Sequence, residues 1–130
     1  MSTDFVLELG TDFQRVIAYT DSTGTPINLT GYTAHMEARP TVANSSKVLD
    51  LTPTIDATAG TIAITVPHTQ AINLNLINTE EKTVYETYAD GSVKTGYGKT
   101  CVYDLMLTSP GSVVTKLLSG TIVFIPNVTR

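Results

Sequence analysis

Apolar and polar residues alternate with a period of two along much of this chain. Residues 32–39, YTAHMEAR, place tyrosine, alanine, methionine and alanine on one face and threonine, histidine, glutamate and arginine on the other. Residues 61–66, TIAITV, and residues 103–107, YDLML, alternate in the same way. Because successive side chains of a β-strand point to opposite faces, these segments predict strands with one buried face and one solvated face.

Similar segments follow one another along the chain, with turn residues between them. The predicted strands are 5–9, 13–20, 27–29, 32–39, 47–51, 53–55, 61–66, 101–108, 113–118 and 121–125. Residues 67–76 predict one short helix, since Pro67 suits a first helical turn. Many short strands separated by turns predict an all-β fold. We expect a single domain over residues 1–130, built as an antiparallel β-sandwich of the Ig-like or jelly-roll-like type.

A long hairpin interrupts this pattern at about residues 82–99. Asp90 and its following glycine form a strong hairpin turn signal, but the flanking segments hold few aliphatic residues, and Tyr85, Tyr88 and Tyr97 supply most of their bulk. We therefore expect an extended β-hairpin insertion that projects beyond the core. The tyrosines suit a protein interface, because each combines apolar area with a polar tip. Alternatively, they only stiffen their own hairpin through cross-strand pairs.

The last predicted strand is apolar on both faces. Between Leu117 and Ile125 only a serine, a glycine and a threonine interrupt the apolar residues. Large exposed apolar patches are uncommon on monomers, so the second face needs cover. We expect the short helix or a second copy of the chain to supply it. Val123 and Ile125 therefore join the three tyrosines as candidate interface residues.

Composition and charge exclude several classes of function. Charged residues make up 15% of the chain and its net charge is −4, with lysine and arginine scattered along it, so we expect no nucleic-acid partner. No run approaches the roughly 20 apolar residues that cross a bilayer, and the start of the chain lacks the pattern of a signal peptide. We expect synthesis in the cytoplasm and no membrane partner. The single cysteine excludes an internal disulfide.

Candidate catalytic and metal-binding residues are scarce. His35 and His68 are far apart and neither belongs to a ligand-spaced pair, so we interpret them as a strand residue and a helix-start residue. Cys101 lies in an apolar strand and predicts a buried, unreactive thiol. Asp104 is unusual in the middle of a strand; it is either on the wet face or paired, with Arg39 as one possible partner. The sequence predicts no catalytic residue, no metal site and no cofactor, and hence no enzyme.

Three blocks of the sequence carry a resemblance to a known class of proteins. They are LELGTDFQRVIAYTDSTGTPINLTGYTAHMEARP at 7–40, GTIAITVP at 60–67 and YDLMLTSPGSVVTKLLSGTIVFIPNVTR at 103–130. In their order and spacing they resemble small tail- and capsid-associated proteins of tailed bacteriophages, and the layout is similar to the β-sandwich N-terminal domain of phage baseplate upper proteins. The turn at 109–112 is shorter than that pattern, and the hairpin at 82–99 is an addition to it.

The resemblance implies a virion structural role without catalysis. It also implies that several residues maintain the fold: Gly24, Pro26, Gly31, Arg39, Tyr103, Asp104 and Gly120. We expect the protein to oligomerise, as a trimer or a hexamer, and to dock onto capsid, neck or tail proteins. It would act either as a baseplate or tail-fibre adaptor or as a capsid decoration (cement) protein.

A second hypothesis is a carbohydrate-binding module that serves host attachment, because β-sandwiches commonly bind sugars through exposed aromatic side chains. The absence of tryptophan weakens this hypothesis.

Overall fold

The structure is a computed structural model that describes residues 3–41, 47–71, 80–88 and 90–125. Within these ranges the chain forms nine strands and one short helix. The elements are β1 (Phe5–Glu8), β2 (Phe13–Ala18), β3 (Thr33–Arg39), β4 (Leu49–Leu51), β5 (Thr54–Asp56), β6 (Thr61–Val66), α1 (His68–Ala71), β7 (Glu80–Thr87), β8 (Val93–Thr108) and β9 (Val114–Ile125).

Two sheets face each other and form an all-β sandwich, as the sequence predicts. The large sheet has the order β1-β9-β8-β3-β4, with β7 also paired to β8; the small sheet has the order β2-β6-β5. Neighbouring strands are antiparallel except β1 and β9, which run parallel. The first strand thus lies at the edge of the large sheet, next to the last one.

The main core lies between the two sheets and follows the predicted alternation. Ala34, Met36 and Ala38 of β3 are buried, whereas the residues between them are exposed or half-buried. From the small sheet, β6 contributes every second side chain to the same cluster, and Phe13 of β2 joins it. Phe13 also meets Phe5 edge to face, with ring centroids 5.8 Å apart. Both faces of the sandwich interior are therefore filled by period-two apolar residues.

Three predicted elements differ from the structure. Residues 27–29 form no strand; only an isolated bridge between Thr20 and Pro26 lies nearby. The predicted strands 113–118 and 121–125 are one strand, because Ser119 and Gly120 stay in the ladder opposite β8 and Leu117 is accommodated by a register shift. The helix predicted over residues 67–76 begins one residue later, at His68; its predicted remainder from residue 72 lies outside the described residues.

The glycines expected to maintain the fold occupy demanding backbone positions. Gly24 and Gly31 have φ of +85° and +81°, a region that favours glycine. At Gly120 an added Cβ would lie 2.2 Å from the carbonyl oxygen of Thr3. The buried Tyr103 donates a hydrogen bond of 2.5 Å to that same oxygen. These contacts hold the start of the chain against β8 and β9.

Candidate interaction surface

The hairpin of β7 and β8 grows directly out of the large sheet. Residues 93–100 of β8 pair with β7, and residues 99–108 pair with β9. Lys99 and Thr100 therefore have a partner strand on each side: Lys99 lies opposite Glu81 of β7 and Phe124 of β9. The strand passes without a break from the sandwich into the hairpin.

Two glycines let the first half of β8 cross closely over the outer face of β9. A Cβ added to Gly98 would lie 2.2 Å from the carbonyl oxygen of Phe124. A Cβ added to Gly96 would lie 2.6 Å from a methyl carbon of Val6 and 3.0 Å from side-chain carbons of Val123 and Ile125. Because interiors are closely packed, a Cβ at Gly98 would clash with backbone, and a Cβ at Gly96 would require the neighbouring side chains to move.

The hairpin covers the second apolar face of the last strand. Val6 of β1, Val84 of β7 and Val123 of β9 form a small cluster separate from the main core, and Ile125 packs against it. Their exposures are 1%, 4% and 0% for the three valines. The short helix or a second copy was expected to cover this strand, and the chain's own hairpin covers it instead.

This burial changes the list of candidate interface residues. Val123 is fully buried within its own chain and Ile125 is partly buried against the same cluster. The hairpin lies on top of both residues, so Val123 offers no free surface and Ile125 offers only part of its side chain. The last strand therefore does not present Val123 as an interface residue.

A buried ion pair anchors the hairpin to both sheets. Glu86 of β7 is 3% exposed, and its carboxylate accepts a 3.1 Å hydrogen bond from the backbone N–H of Val6. The Arg15 guanidinium of β2 donates to both oxygens of the same carboxylate, at 2.9 Å from Nη2 and through a short contact from Nε. Glu86 beside it raises the pKa of Arg15. One carboxylate thus ties the hairpin to the edge of the large sheet and to the small sheet.

Tyr88 belongs to this anchor rather than to a free surface. The Arg15 guanidinium lies 4.5 Å from the ring centroid of Phe13 and 5.6 Å from that of Tyr88. Cations are attracted to aromatic faces at such distances. Tyr88 is 38% exposed, well below the other two hairpin tyrosines. Of the three tyrosines predicted for an interface, this one has a visible structural role.

Tyr85 and Tyr97 share the outward face of the hairpin. Alternation along the two strands turns one set of residues to the sandwich and the other to solvent, and both tyrosines belong to the outward set, with exposures of 60% and 61%. Each lies opposite a threonine, since the register pairs Tyr85 with Thr95 and Thr83 with Tyr97. Thr87 and Val93, the pair nearest the turn, are exposed as well. At the other end, Glu81 and Lys99 form a 3.1 Å ion pair on the same face, and Tyr97 donates a 3.4 Å hydrogen bond to Glu81. We call six of these residues the hairpin face: Thr83, Tyr85, Thr87, Val93, Thr95 and Tyr97.

Beyond the hairpin, none of the described elements covers the outer face of the large sheet, which is lined by charged residues. A groove of about 570 Å³ lies over β3, β8 and β9, with Val102 and Met106 among its lining residues. Asp104 lies there 4.0 Å from Lys116, so it is on the wet face beside a cation. Arg39, its predicted partner, donates a 2.7 Å hydrogen bond to Glu37.

The two remaining candidates for chemistry have local structural roles. Burial raises the pKa of the Cys101 thiol to about 12, so at neutral pH it is a protonated, buried group. His68 begins α1. One carboxylate oxygen of Asp12 accepts a 2.8 Å hydrogen bond from the backbone N–H of His68 and also lies 2.8 Å from Nδ1 of the His68 ring. The hydrogen bonds to His68 lower the pKa of Asp12.

Sequence reasoning missed the two features that fix the hairpin. The sequence GYGK at 96–99 has no phosphate-loop context, and its glycines instead allow the strand crossing. The Glu86–Arg15 pair joins residues 71 positions apart, which no local pattern indicates. The sequence did contain a signal for a buried inward face. Val84 and Glu86 alternate with the residues of the hairpin face on β7, and the two glycines, Gly96 and Gly98, alternate with it on β8.

Among the described residues no helix has the length and hydrophobicity needed to cross a bilayer. No protein-family model matches the chain, and no curated protein sequence matches it significantly.

Proposed function

We propose that this chain is a non-enzymatic structural protein of a phage virion, which docks onto other virion components through the hairpin face. The observation that carries the proposal is the pair Tyr85 and Tyr97, both about 60% exposed on a hairpin whose other face is buried. Interfaces are enriched in tyrosine and depleted in charged residues at their centre. The hairpin face consists of tyrosine, threonine and valine, and the charged pair Glu81–Lys99 lies at its edge.

The rigidity of the hairpin supports the same role. Its inward face is held by the valine cluster and by the Glu86–Arg15 pair. A surface that is already ordered loses less conformational entropy when a partner binds. The hairpin face would therefore dock with little rearrangement, on another copy of the chain or on a neighbouring capsid or tail protein.

Light scattering after size exclusion and co-sedimentation with phage particles test the proposal. We expect the wild-type protein to self-associate or to sediment with particles, and the double variant Tyr85→Ser/Tyr97→Ser to lose that binding while keeping its stability. Val16→Ser is the matched control, because Val16 is also 60% exposed but lies on β2 of the small sheet. A wild-type protein that stays monomeric at high concentration and does not sediment with particles would overturn the proposal.

Sugar binding by the same two rings is the competing function. Exposed tyrosine rings on a rigid strand pair can stack on a sugar, so a glycan array with the wild type and the double variant separates the two functions. We expect no glycan signal. A signal that disappears in the double variant would favour host attachment over virion assembly.

A further inference from the structure

Three side chains that can bind a metal ion meet on the outer face of the large sheet, in the half away from the hairpin. His35 and Glu37 lie two residues apart on β3 and so share one face, and Asp50 of β4 is the cross-strand partner of Glu37. His35 Nε2 lies 2.5 Å from Asp50 Oδ1 and 3.5 Å from Glu37 Oε2. One donor atom from each of the three residues lies within 4.8 Å of the other two.

The donor set is one imidazole nitrogen and two carboxylate oxygens. Zinc accepts both ligand types, and three protein ligands leave a fourth position for water. The imidazole nitrogen favours zinc, copper, iron or nickel over magnesium and calcium. Donor atoms around tetrahedral zinc, at bonds of about 2.0–2.1 Å, lie roughly 3.3 Å from one another. The separations here bracket that value, so small side-chain rotations would bring the three donors to one ion.

The cluster already holds a positive charge at this place. Lys47 Nζ lies 3.1 Å from Asp50 Oδ2 and 3.4 Å from Glu37 Oε2. The ammonium group therefore bridges the same two carboxylates that a metal ion would use. The Lys47 side chain is 40% exposed and sits on a flexible four-carbon stem, so it can swing out to solvent.

We propose that His35, Glu37 and Asp50 form a binding site for a divalent transition-metal ion of the zinc class, with Lys47 as an internal cation that competes for it. The bound ion would join the three-residue edge strand β4 to β3. Its remaining coordination positions would face solvent beside the groove.

Metal titration of the full chain tests the site. Zinc is titrated against a chromophoric chelator, and cobalt is used as a spectroscopic probe, because its absorption in the visible range reports nitrogen and oxygen ligands. We expect one ion per chain. His35→Ala should weaken binding by at least about tenfold, since even residues that only support a ligand cost 10–100-fold when mutated. Circular dichroism checks that the exposed His35 position tolerates the change.

Two further variants separate this site from nonspecific binding. Lys47→Ala should tighten zinc binding, because it removes the competing cation, whereas a nonspecific acidic surface would respond equally to the loss of any lysine; Lys116→Ala, beside Asp104 on the same face, is the comparison. His68→Ala is the histidine control, since His68 also contacts a carboxylate, that of Asp12. Absence of stoichiometric binding, or binding lost with His68 and kept without His35, would overturn the proposal.

Discussion

The outer face of the large sheet has two halves that differ in burial: one is apolar and covered by the hairpin, and the other is charged and exposed to solvent. In one half, the hairpin lies over Val6 and Val123, and the exposed fraction of these side chains falls to about zero. In the other half, β3, β4, β8 and β9 present charged side chains and a groove to solvent. Strand β9 belongs to both: Val114 near its start is 57% exposed, whereas Val123 near its end is 0% exposed. Whether an apolar side chain on this outer face is buried or exposed therefore depends on whether the hairpin lies over it.

The largest expected effect comes from breaking the anchor in the covered half. Arg15→Ala leaves the Glu86 carboxylate buried without its cation, and such changes cost about 3–5 kcal/mol of unfolding free energy. Urea unfolding measures the loss. Lys94→Ala is the control, because Lys94 also pairs with a carboxylate, that of Glu8, at 3.3 Å but near the surface. That variant should lose less than about 1 kcal/mol. Equal losses in the two variants would contradict the anchor.

The strand crossing provides the next effect. Gly98→Ala places a Cβ 2.2 Å from a backbone oxygen of β9, so the hairpin must shift away, and we expect a loss of roughly 1–3 kcal/mol as in other overpacked sites. Gly111→Ala is the matched control, since its nearest neighbour would be a serine oxygen at 3.8 Å. Thermal unfolding monitored by circular dichroism compares them. A Gly98 variant as stable as the control would show that the hairpin does not lie where the structure places it.

A smaller effect compares two valines of one strand. Val123→Ala removes buried methyl groups, which lose about 0.8 kcal/mol of transfer free energy for each buried carbon, with a further cost for the cavity. Val114→Ala removes the same groups from an exposed position, where substitutions usually change stability by less than about 0.5 kcal/mol. Chemical unfolding of both variants measures the difference. If the two valines behaved alike, the contrast between the two halves of β9 would be lost.

The smallest effect concerns the inner core beneath the hairpin. Cys101 is 1% exposed in the main core, and burial raises its thiol pKa to about 12. Below the pKa of an unfolded thiol, Cys101 is protonated in both the folded and the unfolded state, so the free energy of unfolding does not change. As the pH rises from there toward 12, only the unfolded thiol loses its proton, and the free energy of unfolding falls. We expect slow labelling by a thiol reagent at pH 8 in the wild type, and in Glu86→Gln an increase no larger than its loss of unfolding free energy requires. Labelling of Glu86→Gln beyond that increase would show that the inner core opens with the hairpin.

The sequence predicts the sandwich because its main core depends on local alternation. In β3 and β6 each buried side chain follows the last by two positions, and that spacing alone separates the inner face from the outer one. The predicted break at residues 119–120 was wrong, because a serine and a glycine can stay in a ladder when the neighbouring strand β8 continues past them.

The hairpin cover could not be predicted in the same way. It depends on contacts between distant segments: Val84 with Val6 and Val123, and Glu86 with Arg15. Composition alone suggested a projecting hairpin with few aliphatic residues, because it does not separate the two faces of the strands. Likewise His35 and Asp50 come together only once β4 pairs with β3, although the spacing of His35 and Glu37 on one strand was a visible signal.

The central claim is that the chain's own hairpin covers the outer side of its last strand, and methyl nuclear Overhauser effects test it most directly. With valine methyl groups labelled and the protein dilute, we predict cross-peaks from Val84 to Val6 and Val123 within one molecule. A sample mixed from labelled and unlabelled chains separates contacts within a chain from contacts between chains. Absence of these cross-peaks, or their appearance only between chains, would contradict the account.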